Sequence, residues 1–208
     1  MPVSRGTRLY LVRHAQTEWN HSGRYQGHMD VALSSEGRRQ AELVGRRLQG
    51  EKVDAVYTSD LRRARETAAA VARMHGLEIL QVRDLREMDF GLWEGLTYEE
   101  IRKAFPRDVE EWLADPGTKQ VPGGESFAEL QERACRAVRE IIAQHPGQAV
   151  AVVSHGGTLS TVISSLLGLG LAGIWRFHLD NASVSIVDCY GNCNVLSLLN
   201  DISHLKDK

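Results

Sequence analysis

Two histidines stand directly after short apolar runs: His14, behind Arg13, follows residues 9–12, and His155, behind Ser154, follows residues 149–153. An imidazole can attack as a nucleophile or carry a proton, and its ordinary charge change falls near neutral pH. Each histidine alone reads most simply as a hydrogen-bonded residue at a strand end. Their surroundings point further. Arg13 sets a guanidinium beside His14, and residues 59–67 carry Arg62, Arg63 and Arg65. A solvated helix face with i,i+4 pairing is the favoured reading of Arg62 and Arg65. One of the three, turned inward with Arg13, would grip a phosphate in fork geometry. His155 and the N–H groups near Gly156 would add donors from a helix N-terminus. Ser154 is a poor partner for a Ser-His nucleophile, because adjacent side chains at a strand end diverge.

Elements that could position these groups are legible in the pattern. Residues 9–12, 53–57, 78–82 and 149–153 read as strands, and residues 184–187 and 195–199 as a closing hairpin around Gly191-Asn192. A helix opens at Ser34-Ser35-Glu36 and closes at Gly50; a second, with Thr58-Ser59-Asp60 as cap candidates, runs to His75 before Gly76. Residues 84–95 read as a structured loop, followed by short helices at 98–105 and 108–113 separated by Pro106. Phe127, Leu130, Ala134, Val138 and Ile141 mark one face of a long helix, and Gly156-Gly157 leads into another ending near Leu167. Strands alternating with helices predict an α/β fold: one domain over residues 1–208, a three-layer sandwich with a mostly parallel sheet and helices on both faces. In such sheets ligands bind beyond the carboxyl ends of strands, which is where both histidines fall.

Composition narrows the classes. The 208 residues carry 25 basic and 27 acidic side chains, a formal charge of -2, which provides no field for steering nucleic acid or an anionic membrane surface. Attraction for anions must be local. Residues 1–8 are polar, without the apolar core of a secretory signal, and the longest apolar stretch, 163–175, is too interrupted and short to span a bilayer. Three cysteines make no disulfide framework; Cys189 and Cys193 flank a turn, with no second ligand pair at metal spacing. Reduced thiols and a cytoplasmic location are expected. Trp93, Trp112, Trp175 and Phe177 are expected mostly to pack in the core or cap it rather than to clamp a substrate.

Six motifs in order then resemble the histidine phosphatase superfamily, in the branch similar to cofactor-dependent phosphoglycerate mutase. They are Arg13-His14-Ala15-Gln16-Thr17-Glu18-Trp19-Asn20, Tyr25-Gln26-Gly27, Ser59-x-Leu61-x-Arg63-Ala64-x-x-Thr67, Leu85-x-Glu87-x-x-Phe90-Gly91-x-Trp93-Glu94-Gly95, Pro122-Gly123-Gly124-Glu125-Ser126 and Val153-Ser154-His155-Gly156. The resemblance implies that His14 attacks phosphorus and becomes a phosphohistidine. It assigns the transferring oxygens to Arg13, Arg63 and His155, with support from Asn20 and the Gln26-Gly27 turn; Gly156 joins the substrate-binding set through its helix N-terminus. It makes Glu87 the proton donor to the leaving oxygen, a role that needs burial or nearby substrate charge. The competing reading of Glu87 is a loop carboxylate paired with Arg83 or Arg86. Arginines and histidine would neutralise charge, so neither metal nor cofactor is expected. Ala15-Gln16 departs from the Gly-Glu of many members.

Mutases and phosphatases share the phosphohistidine. Mutases resemble one another in a longer insertion before the Pro-Gly-Gly-Glu-Ser segment; only residues 92–121 intervene here, which favours hydrolysis. The expected substrate is a small phosphorylated metabolite, with α-ribazole 5′-phosphate the leading candidate. Phosphoserine phosphatase or broad-specificity phosphatase activity is the alternative, and phosphoglycerate mutase a further one. Relatives of this kind include homodimers.

Overall fold

Alternation along two neighbouring strands builds the layers. In strand β1 (Thr7–Arg13), Leu9 and Leu11 enter one apolar core while Tyr10 and Val12 enter another on the opposite face. A computed structural model describes residues 6–191 and 193–206 of the chain. β2 (Ala55–Thr58), β3 (Ile79–Gln81) and β4 (Ala149–Ser154) run parallel to β1, whereas β5 (Val184–Cys189) is antiparallel to it and β6 (Asn194–Asp201) pairs antiparallel with β5. Their order is β3-β2-β4-β1-β5-β6. Every residue of β4 is buried, which explains why that segment is a continuous apolar run instead of an alternating one. The expected α/β sandwich with a mostly parallel sheet is what forms.

A four-residue helix, α1 (Glu18–His21), follows β1 and was not legible beforehand; its Thr17–Asn20 capping box was the available signal. Helices α2 (Ser35–Leu48) and α3 (Arg62–His75) pack together on the face shared by Tyr10 and Val12. The other face carries α4 (Tyr98–Ala104), α5 (Pro106–Ala114), α6 (Phe127–Gln144) and α7 (Gly156–Leu166). Pro106 opens α5 as its first residue, where its missing N–H costs nothing. One boundary differs in kind. Thr58, Ser59 and Asp60 do not cap α3; Leu61 is its N-cap, and the Arg62 N–H donates instead to Asp30 Oδ1 at 2.5 Å. Ser59 and Asp60 are taken by other partners, described below.

Residues 84–95 form the expected loop, punctuated by 3-10 turns at Arg83–Leu85 and Gly91–Trp93. The hairpin between β5 and β6 forms, though Asn192 of its turn lies outside the described residues, as do residues 1–5 of the opening segment. Cys135, Cys189 and Cys193 are all free, and burial pushes the Cys189 thiol up to about 11, so it stays protonated and unreactive. No helix among the described residues is long and apolar enough to cross a membrane.

The sheet order sets the site. β1 and β4 are adjacent, with Arg13 opposite Ser154, and the His14 N–H donates to the Ser154 carbonyl at 2.8 Å. From there the chain leaves β1 toward the α2–α3 layer and leaves β4 into α7 on the other face. A crevice opens where the two connections diverge.

Candidate active site

His14 is 3% exposed, and burial first, then the charges of Arg63 and Arg13, holds its pKa well below the ordinary 6.5. The ring is therefore neutral. Its Nδ1 lies 2.8 Å from the Ala15 carbonyl oxygen, which can only accept, so the proton sits on Nδ1. Nε2 is left with its lone pair, and no hydrogen bond to a described residue engages it. The side chain faces a cleft of about 230 Å³ whose lining includes Arg13, Asn20, Gln26, Gly27, Arg63 and Glu87.

Three buried donors surround this ring without partners among the described residues: Arg13 Nε, Arg63 Nε and His155 Nδ1. Each comes from a different element. Arg13 closes β1, and one guanidinium nitrogen donates to the Leu179 carbonyl. Arg63, fully buried in the first turn of α3, donates to the carbonyls of Gly27 and Met29, both at 2.7 Å. Burial pulls its pKa down to about 10, which still leaves it charged at neutral pH. His155 lies behind His14, ring centroids 5.1 Å apart, and lines neither cleft described here. Its Nε2 is 2.7 Å from Ser59 Oγ. Burial first, then Arg63, His14 and Arg13, holds its pKa well below 6.5, so the ring is neutral; with Ser59 donating to Nε2, its proton sits on Nδ1. Unpaired buried N–H groups are costly, and several close to one nucleophile suit a bound anion.

Glu87 is not paired with Arg83 or Arg86. Arg86 chelates Asp60 at 2.6 and 2.7 Å, leaving the Glu87 carboxylate to cap α7. It accepts from the N–H groups of Gly157 and Thr158, each at 3.0 Å, and from the Thr158 hydroxyl at 3.2 Å. An added Cβ at position 157 would lie 2.7 Å from a Glu87 carboxylate oxygen and would push that carboxyl from its cap. Gly156 is similarly close to the Arg13 guanidinium, at 3.2 Å from Nε. The loop behind Glu87 is fixed by Arg133 of α6, which donates to the carbonyls of Asp84, Arg86 and Glu87 and is chelated by Glu125. Glu125 also accepts from the Asp89 N–H at 2.9 Å, giving the Pro-Gly-Gly-Glu-Ser segment a structural purpose. Replacing Arg133 by alanine should lower kcat about a hundredfold by loosening Glu87, with the far-ultraviolet dichroism retained; an unchanged kcat would contradict this.

Asn20 and Gln26 are joined through Thr17, whose hydroxyl lies 3.0 Å from both side-chain oxygens. Asn181 donates to Asn20 Oδ1 and to the His14 carbonyl, locking α1 against the nucleophile. Gly27 adopts φ +49°, and a side chain there would collide with the Glu94 carboxyl. Seven of the nine sequence-predicted residues thus line one crevice, Gly156 lines the cleft beside it and His155 is seated behind. Arg62 pairs with Glu66 at 2.5 Å as expected, whereas Arg65 is half-buried rather than solvated. Sequence reasoning missed Ser59, Glu125, Arg133 and Thr158. Ser59 and Glu125 lay within the quoted motifs; Arg133 resembled its exposed helical neighbours. Among the described residues no group of three or more His, Cys, Asp and Glu side chains is arranged to hold a metal ion.

Fold and crevice together define an α/β protein with a neutral, buried imidazole facing an arginine-lined cleft. The chain belongs to the histidine phosphatase superfamily (branch 1), whose family model matches residues 9–202. It is 38% identical over 198 residues to phosphoserine phosphatase 1 of Hydrogenobacter thermophilus, covering 95% of this chain and 94% of that relative. Among solved structures it resembles YhfR of Bacillus stearothermophilus, with a TM-score of 0.89, 35% identity and coverage of 96% and 100% of the two chains. It also resembles the alpha-ribazole phosphatase of Shigella flexneri, with a TM-score of 0.86, 31% identity and coverage of 93% and 96%.

Proposed function

We propose that this protein hydrolyses phosphate monoesters of small metabolites through a phosphohistidine on His14, without a metal ion. The observation that carries this reading is the Nδ1-protonated, neutral His14 beside two arginines. Nε2 attacks phosphorus in line, and the bond from phosphorus to the leaving oxygen breaks as the N–P bond forms. Arg13 and Arg63 donate to the phosphoryl oxygens, His155 backs the His14 ring, and Gly156 allows the α7 N-terminus to come close. Asn20, Gln26 and Gly27 hold the rim of that hole. Glu87 gives its proton to the departing alkoxide, then takes one from the water that attacks the phosphohistidine. Inorganic phosphate leaves and the starting state returns.

α-Ribazole 5′-phosphate is the leading substrate, supported by similarity to the Shigella flexneri enzyme. L-Phosphoserine is the second reading, supported by the Hydrogenobacter thermophilus relative; mutase activity is disfavoured by the short segment between Leu92 and Val121. Phosphate release from a panel of monoesters, with and without chelator, tests the class. The expected result is chelator-insensitive release and little interconversion of phosphoglycerates. Efficient interconversion, or release abolished by chelator, would overturn it.

The depressed pKa of His14 gives a pH prediction. As pH falls, protonation removes the Nε2 lone pair, but only below the ordinary 6.5. After correction for substrate ionisation, the limb of kcat/KM belonging to the nucleophile should lie below pH 6.5. A half-maximal loss above that value would contradict the assignment. The same burial destabilises the fold in acid: unfolded imidazoles take up protons below 6.5 that folded His14 and His155 refuse.

A further inference from the structure

A second cleft, about 280 Å³, adjoins the His14 cleft across Arg13 and Glu87. Its wall is largely apolar: Phe127, Ile174, Trp175, Phe177 and Leu179 line it. Trp175 and Phe177 are thus not simple core packing, unlike Trp93 and Trp112, which are 2% and 6% exposed. Trp175 is 61% exposed, yet Trp112 at 5.9 Å and Phe127 at 5.4 Å, both nearly perpendicular to it, hold its ring. A large aromatic ring held by two neighbours and still mostly exposed is a stacking platform whose ordering cost is already met by the fold.

Charge in this cleft is poorly placed for an anionic leaving group. Arg13 is its one arginine, with one nitrogen donating to the Leu179 carbonyl. His178 is exposed and already paired with Asp180 at 3.0 Å. A carboxylate brought in by the substrate would have to compete with the phosphoryl group for Arg13, the one arginine of this cleft. The volume suits a ring, since a cavity of about 150 Å³ already takes benzene.

We infer that this cleft is a leaving-group subsite for a flat, uncharged ring stacked on Trp175, so that ring-bearing phosphate esters are preferred over esters whose alcohol carries a carboxylate. The inference rests on the reaction proposed above. It separates the two named candidates, because α-ribazole 5′-phosphate carries an aromatic base and L-phosphoserine a carboxylate.

Calorimetry with benzylphosphonate, methylphosphonate and the phosphonate isostere of phosphoserine tests the subsite without turnover. Benzylphosphonate should bind about tenfold more tightly than methylphosphonate, and Trp175→Ala should erase that gain while leaving methylphosphonate affinity unchanged. No ring gain, a gain that survives Trp175→Ala, or tighter binding of the carboxylated isostere would overturn the inference. In turnover, kcat/KM should be at least about tenfold higher for benzyl phosphate than for L-phosphoserine, both of which leave as alkoxides. A preference for L-phosphoserine would also overturn it. A ring gain in binding without hydrolysis of either ester would sink the proposed reaction and leave the subsite standing.

Discussion

Replacing His14 by alanine should lower kcat on p-nitrophenyl phosphate by about ten-thousandfold or more. The size of the effect follows from the lack of a substitute. His155 is the other imidazole at the site, but its Nε2 is tied to Ser59 and it lies behind the nucleophile instead of lining the cleft. Arg13 and Arg63 remain charged and cannot attack phosphorus. Binding should survive, because the donors around the phosphoryl group do not depend on His14; KM or inhibition by inorganic phosphate should move far less than kcat. Removal of a buried side chain bonded only to the Ala15 carbonyl also leaves few partners stranded, so the variant should fold. Wild-type kcat in this variant would reject the nucleophile outright.

Changing Glu87 to glutamine has the second-largest expected effect, and its signature is selectivity. An alkoxide leaving group needs a proton; p-nitrophenolate hardly does. The variant should lose about a hundred- to ten-thousandfold in kcat on an alkyl phosphate and much less on p-nitrophenyl phosphate. Glutamine still offers one oxygen to the N–H groups of Gly157 and Thr158, so the α7 cap should be weakened rather than abolished. Equal losses on both esters would reassign Glu87 to positioning alone.

Much of this site was readable in the sequence because strand ends announce themselves. The apolar runs before His14 and His155, and the parallel pairing they imply, put both imidazoles at the carboxyl ends of two adjacent central strands. Gly76, in the left-handed conformation that ends α3, and the helical period of α6 were equally plain. Ser59 was misread for a physical reason. A serine before an aspartate at a helix start is a normal cap signal, and only the β2–β4 register, with Thr58 opposite Val153, carries it to His155. Arg133 shares α6 with Arg136 and Arg139, and nothing local says which of the three turns toward the loop of Glu87. Glu87 itself has two arginines as sequence neighbours, so its capping of α7 was hidden until Asp60 proved to hold Arg86. Trp175 sits in a 3-10 segment, Leu171–Arg176, whose lack of period gave no hint of an exposed face.

Rapid acid-free quenching of a single turnover with a radiolabelled phosphate ester, followed by peptide mapping, probes the covalent step itself. One phosphoryl group, stable to alkali and labile to acid, should appear on the peptide bearing His14 and vanish as free phosphate is released. Label on a different side chain, or steady hydrolysis with no labelled protein at any time point, would contradict the phosphohistidine on which the whole reading depends.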